Sequence, residues 1–465
     1  MSDFLTLLTD TLAEGVVTAS DDVPARYHHD WAGLPAVRPL ALVRPRTTQE
    51  VSDTLRLCHE NGVPVVPQGG LTGISGAAHP EAAGIVLSLE RMNAIRAVNP
   101  RDATMSAEAG VILEAAQGAA ADADLMLAID IGARGSCQLG GVIATNAGGH
   151  NVVRYGMTRD QVLGLEVVLA DGTILEDMNT LVKNNAGLDL KQLFIGSEGL
   201  LGVITACVLR LHPASPARET ALVGCASTDD AIEVLNKART GLGSMLTAFE
   251  VMWASFHDTM ASRCDVPTPL SGKHAVYIIV EARGPQGDST RQALEGFLET
   301  AFESGLIEDA VLANSVREEH AIWAVRETPA EYATVLGPVI PFDIGIPTDR
   351  MAETVAKVEA RIQQGWPDAL ALFYGHIGDN NLHLVVHVPA AGDTQPEAEV
   401  KAAVYAIVRD MGGTISAEHG IGAIKRDYMH YSRTQTHLRL MQSVKTALDP
   451  KGIMNPGKGF DQLAS

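Results

Sequence analysis

The fold turns on the stretch Val63-Pro-Val-Val-Pro-Gln-Gly-Gly-Leu-Thr-Gly73. Val63 to Val66 reads as a β-branched strand ending at Pro67, and Pro67, Gln68, Gly69, Gly70, Leu71, Thr72 and Gly73 follow as a glycine-rich loop, with Gly76 beyond. Bare backbone at a strand end can turn its N–H groups toward a phosphate. Upstream, Thr47 and Glu50 have capping-box spacing, Val51, Leu55 and Cys58 recur at helical spacing, and Asn61-Gly62 is a stop, so a helix should precede the strand. Downstream, Ala77 to Gly84 contains Pro80 and is a poor helix. A Rossmann loop needs G-x-G-x-x-G opening a helix, whereas Gly70, Gly73 and Gly76 fall every third residue, which disfavours NAD.

Glycine recurs at Gly132, Gly135, Gly140, Gly141, Gly148 and Gly149, interleaved with Ser136, Thr145 and Asn146, and again at Gly196, Gly199 and Gly202. One such cluster could merely serve tight turns. Three in one region suit an extended ligand lying against backbone.

The chain has 465 residues, enough for two or three domains with ordinary cores. Lys and Arg total 35 against 56 Asp and Glu, a net charge of −21 that repels nucleic acid and anionic membrane surfaces. Cys58, Cys137, Cys207, Cys225 and Cys264 are odd in number and lack a CxxC, so reduced thiols are expected. Asp3, Asp10, Glu14, Asp21 and Asp22 precede the first basic residue, Arg26, the reverse of a targeting peptide. The apolar run Leu200 to Leu211 falls short of the roughly 20 residues that span a bilayer. A cytoplasmic protein without a membrane span is the expectation.

His212-Pro-Ala-Ser-Pro-Ala217 is the best linker in the chain and sets an expected boundary near 215. Beyond it, strands such as Ala275 to Arg283 alternate with amphipathic helices such as Ser289 to Ser304, an α+β pattern on one sheet. Thr434 to Leu448 reads as a helix stopped by Asp449-Pro.

The run Pro67 to Gly73, Gly135-Ser-x-x-x-Gly-Gly141, Thr145-Asn-Ala-Gly-Gly149 and Arg154-Tyr-Gly156 resemble the FAD-binding domain of vanillyl-alcohol-oxidase type flavoproteins. Tyr374-Gly-His-Ile-Gly-Asp-Asn-Asn-Leu-His383, Glu418-His-Gly-Ile-Gly422 and Asp449-Pro-x-Gly-Ile-Met-Asn-Pro-Gly-Lys458 narrow the resemblance to the FAD-linked D-2-hydroxyacid dehydrogenases. The resemblance implies an α+β fold: a two-subdomain FAD domain over 1–215, a cap or substrate domain over 216–415, and a segment over 416–465 returning to the flavin. It assigns Pro67 to Gly73 to the pyrophosphate and counts Gly76 among the cofactor-binding residues. Gly135, Ser136, Gly140, Gly141, Thr145, Asn146, Gly148 and Gly149 would line the rest of FAD, with Ile204 on the adenine side and Asn455 by the flavin ring. Covalent attachment in the wider family usually uses a His in the first loop. Positions 67 to 76 contain none, so noncovalent FAD is expected, with His79 the nearest imidazole.

Leu370 to Ile377 and Leu382 to Val388 read as a hairpin around Gly378-Asp-Asn-Asn381, which would set His376 opposite His383 at a separation that suits one shared cation. Two half-buried histidines without a metal fit the same pattern. In an extended segment Glu418 and His419 would point to opposite sides and divide their work. Two His and a carboxylate suit Zn²⁺ or Mn²⁺. The resemblance agrees, giving His376, His383 and Glu418 to the metal and His419 to proton abstraction. His387 lies two steps along the face from His383, where a strand-end His is commonly just solvated.

Arg326, in Trp323-Ala-Val-Arg-Glu327, matches the family arginine that grips the substrate carboxylate. Where D-2-hydroxyglutarate enzymes resembling this chain carry Thr, Lys and Asn, it has Ala330, Pro341 and Val385. The implied activity is FAD-dependent, metal-assisted oxidation of a D-2-hydroxyacid (D-2-hydroxyglutarate, D-lactate or D-malate) to the 2-oxoacid. Electrons would leave for an electron-transfer flavoprotein, a quinone or a cytochrome, and a homodimer is admissible. The competing readings are a zinc hydrolase built on His376, His383 and Glu418 with structural glycine loops, and a noncatalytic flavoprotein subunit.

Overall fold

The computed structural model describes residues 2–461. Two compact units divide the chain: Met1–Gly149, Tyr155–Ala214 and Glu418–Ser465 form the first, and His150–Arg154 with Ser215–Ala417 the second. The five-residue excursion His150–Arg154 has no counterpart in the expected domain order.

In the first unit, helix Thr48–Asn61 forms where expected. Thr47 accepts from Glu50 N at its start, and Gly62, at φ +66°, closes it. The helix carries the chain from strand Ala41–Val43 to strand Val65–Gln68, and both run parallel to Ile85–Ser88 between them. Val17–Ala19 completes this four-stranded sheet on the far side of Ala41–Val43. The strand expected to end at Pro67 instead runs through it, which an edge strand tolerates because the missing N–H faces no neighbour. The C-terminal segment reaches that edge: Val65 bridges Met454 in parallel, and Asn455 N donates to Val65 O at 2.8 Å. The apolar run after Leu200 becomes strand Val203–Arg210, central in a five-stranded antiparallel sheet between Thr104–Glu108 and Val162–Val168. It is buried along all but its last residue, and burial on both faces is why it reads as an unbroken apolar run rather than an alternation.

The second unit is built on a seven-stranded antiparallel sheet in the order Asp309–Leu312, Ala217–Cys225, Val276–Gly284, Leu246–Trp253, Leu370–His376, Asn381–His387, Ile340–Gly345. Helix Ser289–Glu303 packs on Ala217–Cys225 and Val276–Gly284, burying Leu294, Phe297 and Ala301. Leu222, Met252, Ile279, Leu372, Tyr374 and Val385 join Phe256, Trp323 and Tyr332 in a separate apolar cluster. Each large apolar side chain so buried contributes roughly 1.5–3 kcal/mol. Among the described residues no helix is long and apolar enough to cross a membrane.

Candidate active site

The glycines of the first unit fall into two kinds. A Cβ on Gly70 would land 2.1 Å from Ser136 O and 2.9 Å from Cys137 Cα, so the first loop and the Gly135 segment meet backbone to backbone. Gly140 is pressed on Ala109, with 2.7 Å between the two Cβ positions, and Gly149, at φ +116°, leaves only 1.9 Å to Asp130 O. A Cβ on Gly148 would approach Glu418 Oε2 to 2.9 Å, one on Gly76 would meet Leu34 and Ala423 at 3.0 and 3.2 Å, and Gly135 faces Glu114. These glycines let segments of one unit touch. Gly73 and Gly141 differ: a Cβ there would meet nothing within 4 Å, and Gly69 has only ordinary contact with Gly141 and Gln138.

The same loops hold non-glycine residues in left-handed backbone: Leu71 at φ +59° and Glu198 at +53°, which rarely adopt it, and Asn146 at +50° and Asn455 at +45°, which adopt it more readily. Leu71 and Glu198 each cost about 1–3 kcal/mol there, and such strain gathers where a ligand is held. Thr145 Oγ1 donates back to Gly141 O at 3.0 Å, and Asn146 Oδ1 accepts from Arg159 N at 2.9 Å. Ser136 Oγ donates to Ala133 O at 3.3 Å, and Ile204 is buried within strand Val203–Arg210.

Whether FAD fits can be asked of two buried amide side chains. Gln68 Nε2 donates to Tyr27 O and Ala78 O, and Asn455 Nδ2 donates to Ala77 O and Glu198 O. Those carbonyls fix which end of each amide is oxygen, and Gln68 Oε1 and Asn455 Oδ1 have no partner among the described residues. Buried acceptors without donors are costly unless something completes them. FAD presents imide, amine and hydroxyl donors, so the site's chemistry fits it. Lys445 and Asp449 form a buried pair that also grips Leu200 O and Met454 O, which fixes the approach to Asn455.

Glu418 and His419 stand at the point where the chain re-enters the first unit. The expectation that they point to opposite sides is wrong. The segment bends instead of extending, and His419 Nε2 lies 3.4 Å from Glu418 Oε1. Alternation belongs to extended strands and does not survive a bend.

In the second unit the hairpin forms, but with the turn at Ile377–Asn380, one residue earlier than the sequence suggests, closed by Asn380 at φ +72°. His376 therefore pairs with Asn381, and His383 with Tyr374. The shift is two residues, so both imidazoles stay on one face as diagonal neighbours with ring centroids 5.4 Å apart. His383 is also the Cα partner of Asp343, and the two offer ligand atoms within 4.8 Å of each other, an imidazole and carboxylate suited to Zn²⁺ or Mn²⁺. His387 Nδ1 donates to Pro338 O at 2.8 Å.

Two residues that sequence reasoning missed organise this face. The register Val251↔Gly375, Met252↔Tyr374, carried one residue on, sets Glu250 opposite His376. Glu250 is fully buried; it accepts from Arg326 Nε at 2.8 Å through Oε2 and pairs with His376 Nδ1 through Oε1. His150, from the excursion, stands 3.3 Å from Glu250 Oε1. Burial pushes the Glu250 carboxyl up, but His376 and the Arg326 guanidinium pull harder and hold it well below the usual carboxylate range. Arg326 Nη2 also donates to His376 Nε2 at 3.3 Å, so both nitrogens of His376 are engaged by protein groups. The guanidinium lies over the Tyr374 ring, 4.8 Å from its centroid, and its Nη1 makes no hydrogen bond among the described residues. A lone Glu in the apolar strand Leu-Thr-Ala-Phe-Glu-Val-Met-Trp was the available signal, because an ionised carboxylate is rarely buried there unpaired. Pro341 and Val385 are Cα partners two residues along from Asp343 and His383, and Val385 sits in the apolar cluster with Trp323 and Tyr332.

Two family models match: an FAD binding domain over residues 39–177, and the C-terminal domain of FAD linked oxidases over 214–459. The mitochondrial D-2-hydroxyglutarate dehydrogenase of Bos taurus is 39% identical over 92% of this chain and 78% of its own length. That of Stutzerimonas stutzeri is 37% identical over 96% of each chain. A putative mitochondrial D-lactate dehydrogenase of Schizosaccharomyces pombe is 35% identical over 96% of this chain and 87% of its own. Among solved structures, p-cresol methylhydroxylase covers 100% of this chain and 97% of its own at TM-score 0.78 and 16% identity, a likeness of fold alone. The α+β fold is thus of the expected vanillyl-alcohol-oxidase type. The zinc hydrolase reading gains no support from these matches and is set aside. With the C-terminal match alone covering more than half of the residues, and relatives aligned along most of their length, the chain belongs to the FAD-linked D-2-hydroxyacid dehydrogenase family and is an FAD-dependent oxidoreductase.

Proposed function

We propose that the protein oxidises a D-2-hydroxyacid to the 2-oxoacid and hands the electrons to an external acceptor. The observation that carries this reading is the anchored guanidinium of Arg326. Glu250 holds its Nε edge, which leaves Nη1 to meet a carboxylate on the face that also bears His376 and His383. When bound, FAD supplies the two-electron acceptor that no side chain provides, and a divalent ion would polarise the substrate hydroxyl. Arg326 orients the acid, and the His419 imidazole receives the hydroxyl proton. The resemblance assigns His376, His383 and Glu418 to the metal; His376 would have to release Glu250 or Arg326 to free a nitrogen, whereas the carboxylate of Asp343 beside His383 is a donor of the right chemistry. Noncovalent FAD remains part of the reading. The first loop lacks a His, and His79, whose N donates to Gly76 O, lies beyond it. Flavin that stays with the protein after acid precipitation would refute that part.

The names of the bovine and Stutzerimonas relatives favour D-2-hydroxyglutarate. A second reading rests on Val385 and Pro341. This apolar pair beside His383 offers nothing to a distal carboxylate and favours a small uncharged end such as that of D-lactate. Anaerobic mixing with D-2-hydroxyglutarate, D-lactate, D-malate and glycolate decides between them: the fastest flavin bleaching identifies the distal group. No bleaching by any of the four, with FAD present and Mn²⁺ or Zn²⁺ supplied, would overturn the proposal.

A further inference from the structure

The segment that carries His419 is soft by composition. Gly420 and Gly422 flank Ile421 at φ +80° and +51°, and two permissive residues cannot hold an imidazole to the tolerance of about 0.5 Å that catalysis needs. Something outside the segment must fix it. Glu198 Oε1 accepts from Ile421 N and Oε2 from Gly422 N, each at 2.6 Å. From the other side, Ser75 Oγ donates to His419 O at 2.9 Å and to Gly420 O at 3.2 Å, while Ser75 O accepts from Ala423 N and Ile424 N. The fit leaves no slack: a Cβ on Gly422 would lie 2.0 Å from Ser75 O, and one on Gly420 would lie 2.6 Å from Glu198 Oε1.

Glu198 is itself tied down on its main chain. Its N donates to Ala144 O at 2.8 Å, and its carbonyl accepts from Asn455 Nδ2 at 2.7 Å. Its left-handed φ of +53° is strain that persists because these bonds over-determine it. A carboxylate suits the task because it offers two acceptor oxygens to two neighbouring N–H groups. A Gln would turn an NH₂ on one of them, and an Asp is one methylene too short.

The geometry points to Glu198, seconded by Ser75, as the positioning residue that fixes the 419–422 backbone and so aims the His419 imidazole at the substrate hydroxyl. This inference rests on the reading of His419 as the base. It adds a residue that touches neither substrate nor metal and acts only through main-chain hydrogen bonds.

The test uses the full-length flavoprotein with excess Mn²⁺, so that metal occupancy does not limit, and compares Glu198→Gln, Ser75→Ala, His419→Ala and the double variant Glu198→Gln/His419→Ala. Glu198→Gln should keep its flavin spectrum, speed hydrogen exchange at the Ile421 or Gly422 amide, and slow anaerobic flavin reduction about 10- to 100-fold, with kcat falling more than KM changes. Ser75→Ala should do the same more weakly. In the His419→Ala background the Glu198→Gln penalty should disappear, because the clamp has nothing left to aim. Parent-rate reduction by Glu198→Gln despite faster exchange overturns the inference. So does a penalty that persists undiminished in the His419→Ala background. Full activity of His419→Ala alone sinks the base reading, and the inference falls with it. If Glu198→Gln does not fold, Ser75→Ala with and without His419→Ala carries the same comparison, since it removes a single hydroxyl.

Discussion

Gly70 in the first unit has no room even for a methyl group, which would strike the Ser136 carbonyl at 2.1 Å, whereas Glu250 in the second unit is a full carboxylate carried into the middle of a sheet. The first site is made by removing side chains until backbone meets backbone. The second is made by adding charged side chains and pairing each one: Glu250 with Arg326, His376 and His150. A site of the first kind is vulnerable to added volume, and one of the second kind to lost charge. The two should therefore fail separately; three measurements can break or sharpen that distinction, and a fourth tests a buried imidazole of the second unit outside either site.

The largest effect is expected from Arg326→Ala, which leaves Glu250 buried without its permanent cation. Truncating one partner of a buried pair costs about 3–5 kcal/mol, so the melting temperature should drop clearly and hydroxyacids should no longer bleach the flavin. The FAD absorbance should stay. If FAD leaves with the arginine, the two sites are not separable.

Gly70→Ala should strike the other site, at about 1–3 kcal/mol of overpacking strain. Loss of FAD on gel filtration is the expected readout. Unchanged FAD content would mean that the two glycine segments part without cost.

Gly141→Ala separates the two kinds of glycine. Its Cβ meets no protein atom within 4 Å and lies in helix Leu139–Ala144, so the apoprotein should be as stable as the parent or slightly more so. FAD titration should nevertheless show affinity weakened about tenfold, roughly 1.4 kcal/mol. Unaltered affinity would take Gly141 out of the cradle.

The smallest effect concerns pH. His257 is buried, its ring stacked on Tyr277 at 3.5 Å between centroids, and burial lowers its pKa from the usual 6.5, partly offset by Asp258. The unfolded chain takes up that proton near pH 6.5 and the native protein only at lower pH. Native stability is thus undiminished above 6.5 and falls as the pH drops below it, by at most about 1.4 kcal/mol per pH unit. His257→Phe should flatten the fall in melting temperature as the pH drops below about 6.5; an unchanged slope would assign it to other groups.

How much could be read in advance follows the same division. The glycine segments were legible because close approach and left-handed backbone are local demands that glycine answers by itself, as at Gly70 and Gly149. The hairpin was legible in parity but not in register: Asn380 could accept the left-handed position that closes the turn, which moved every pair by two while keeping His376 and His383 on one face. Glu250 left one local sign, a lone carboxylate in an apolar strand, but its partner lies in a strand more than a hundred residues away, and no local pattern encodes that pairing. Glu418 and His419 were misread because alternation was assumed where the chain bends.

The parallel bridge from Val65 to Met454 sets a schedule for the newborn chain. Strand Val65–Gln68 is made before Ser215–Ala417, yet the segment that covers its edge is made only after it. Until then an edge strand with open N–H and C=O groups must wait, exposed to other nascent chains and in need of chaperone cover. A chain stalled or clipped before Glu418 would also lack Asn455. Retention of a yellow cofactor would then report whether translation had passed Asn455.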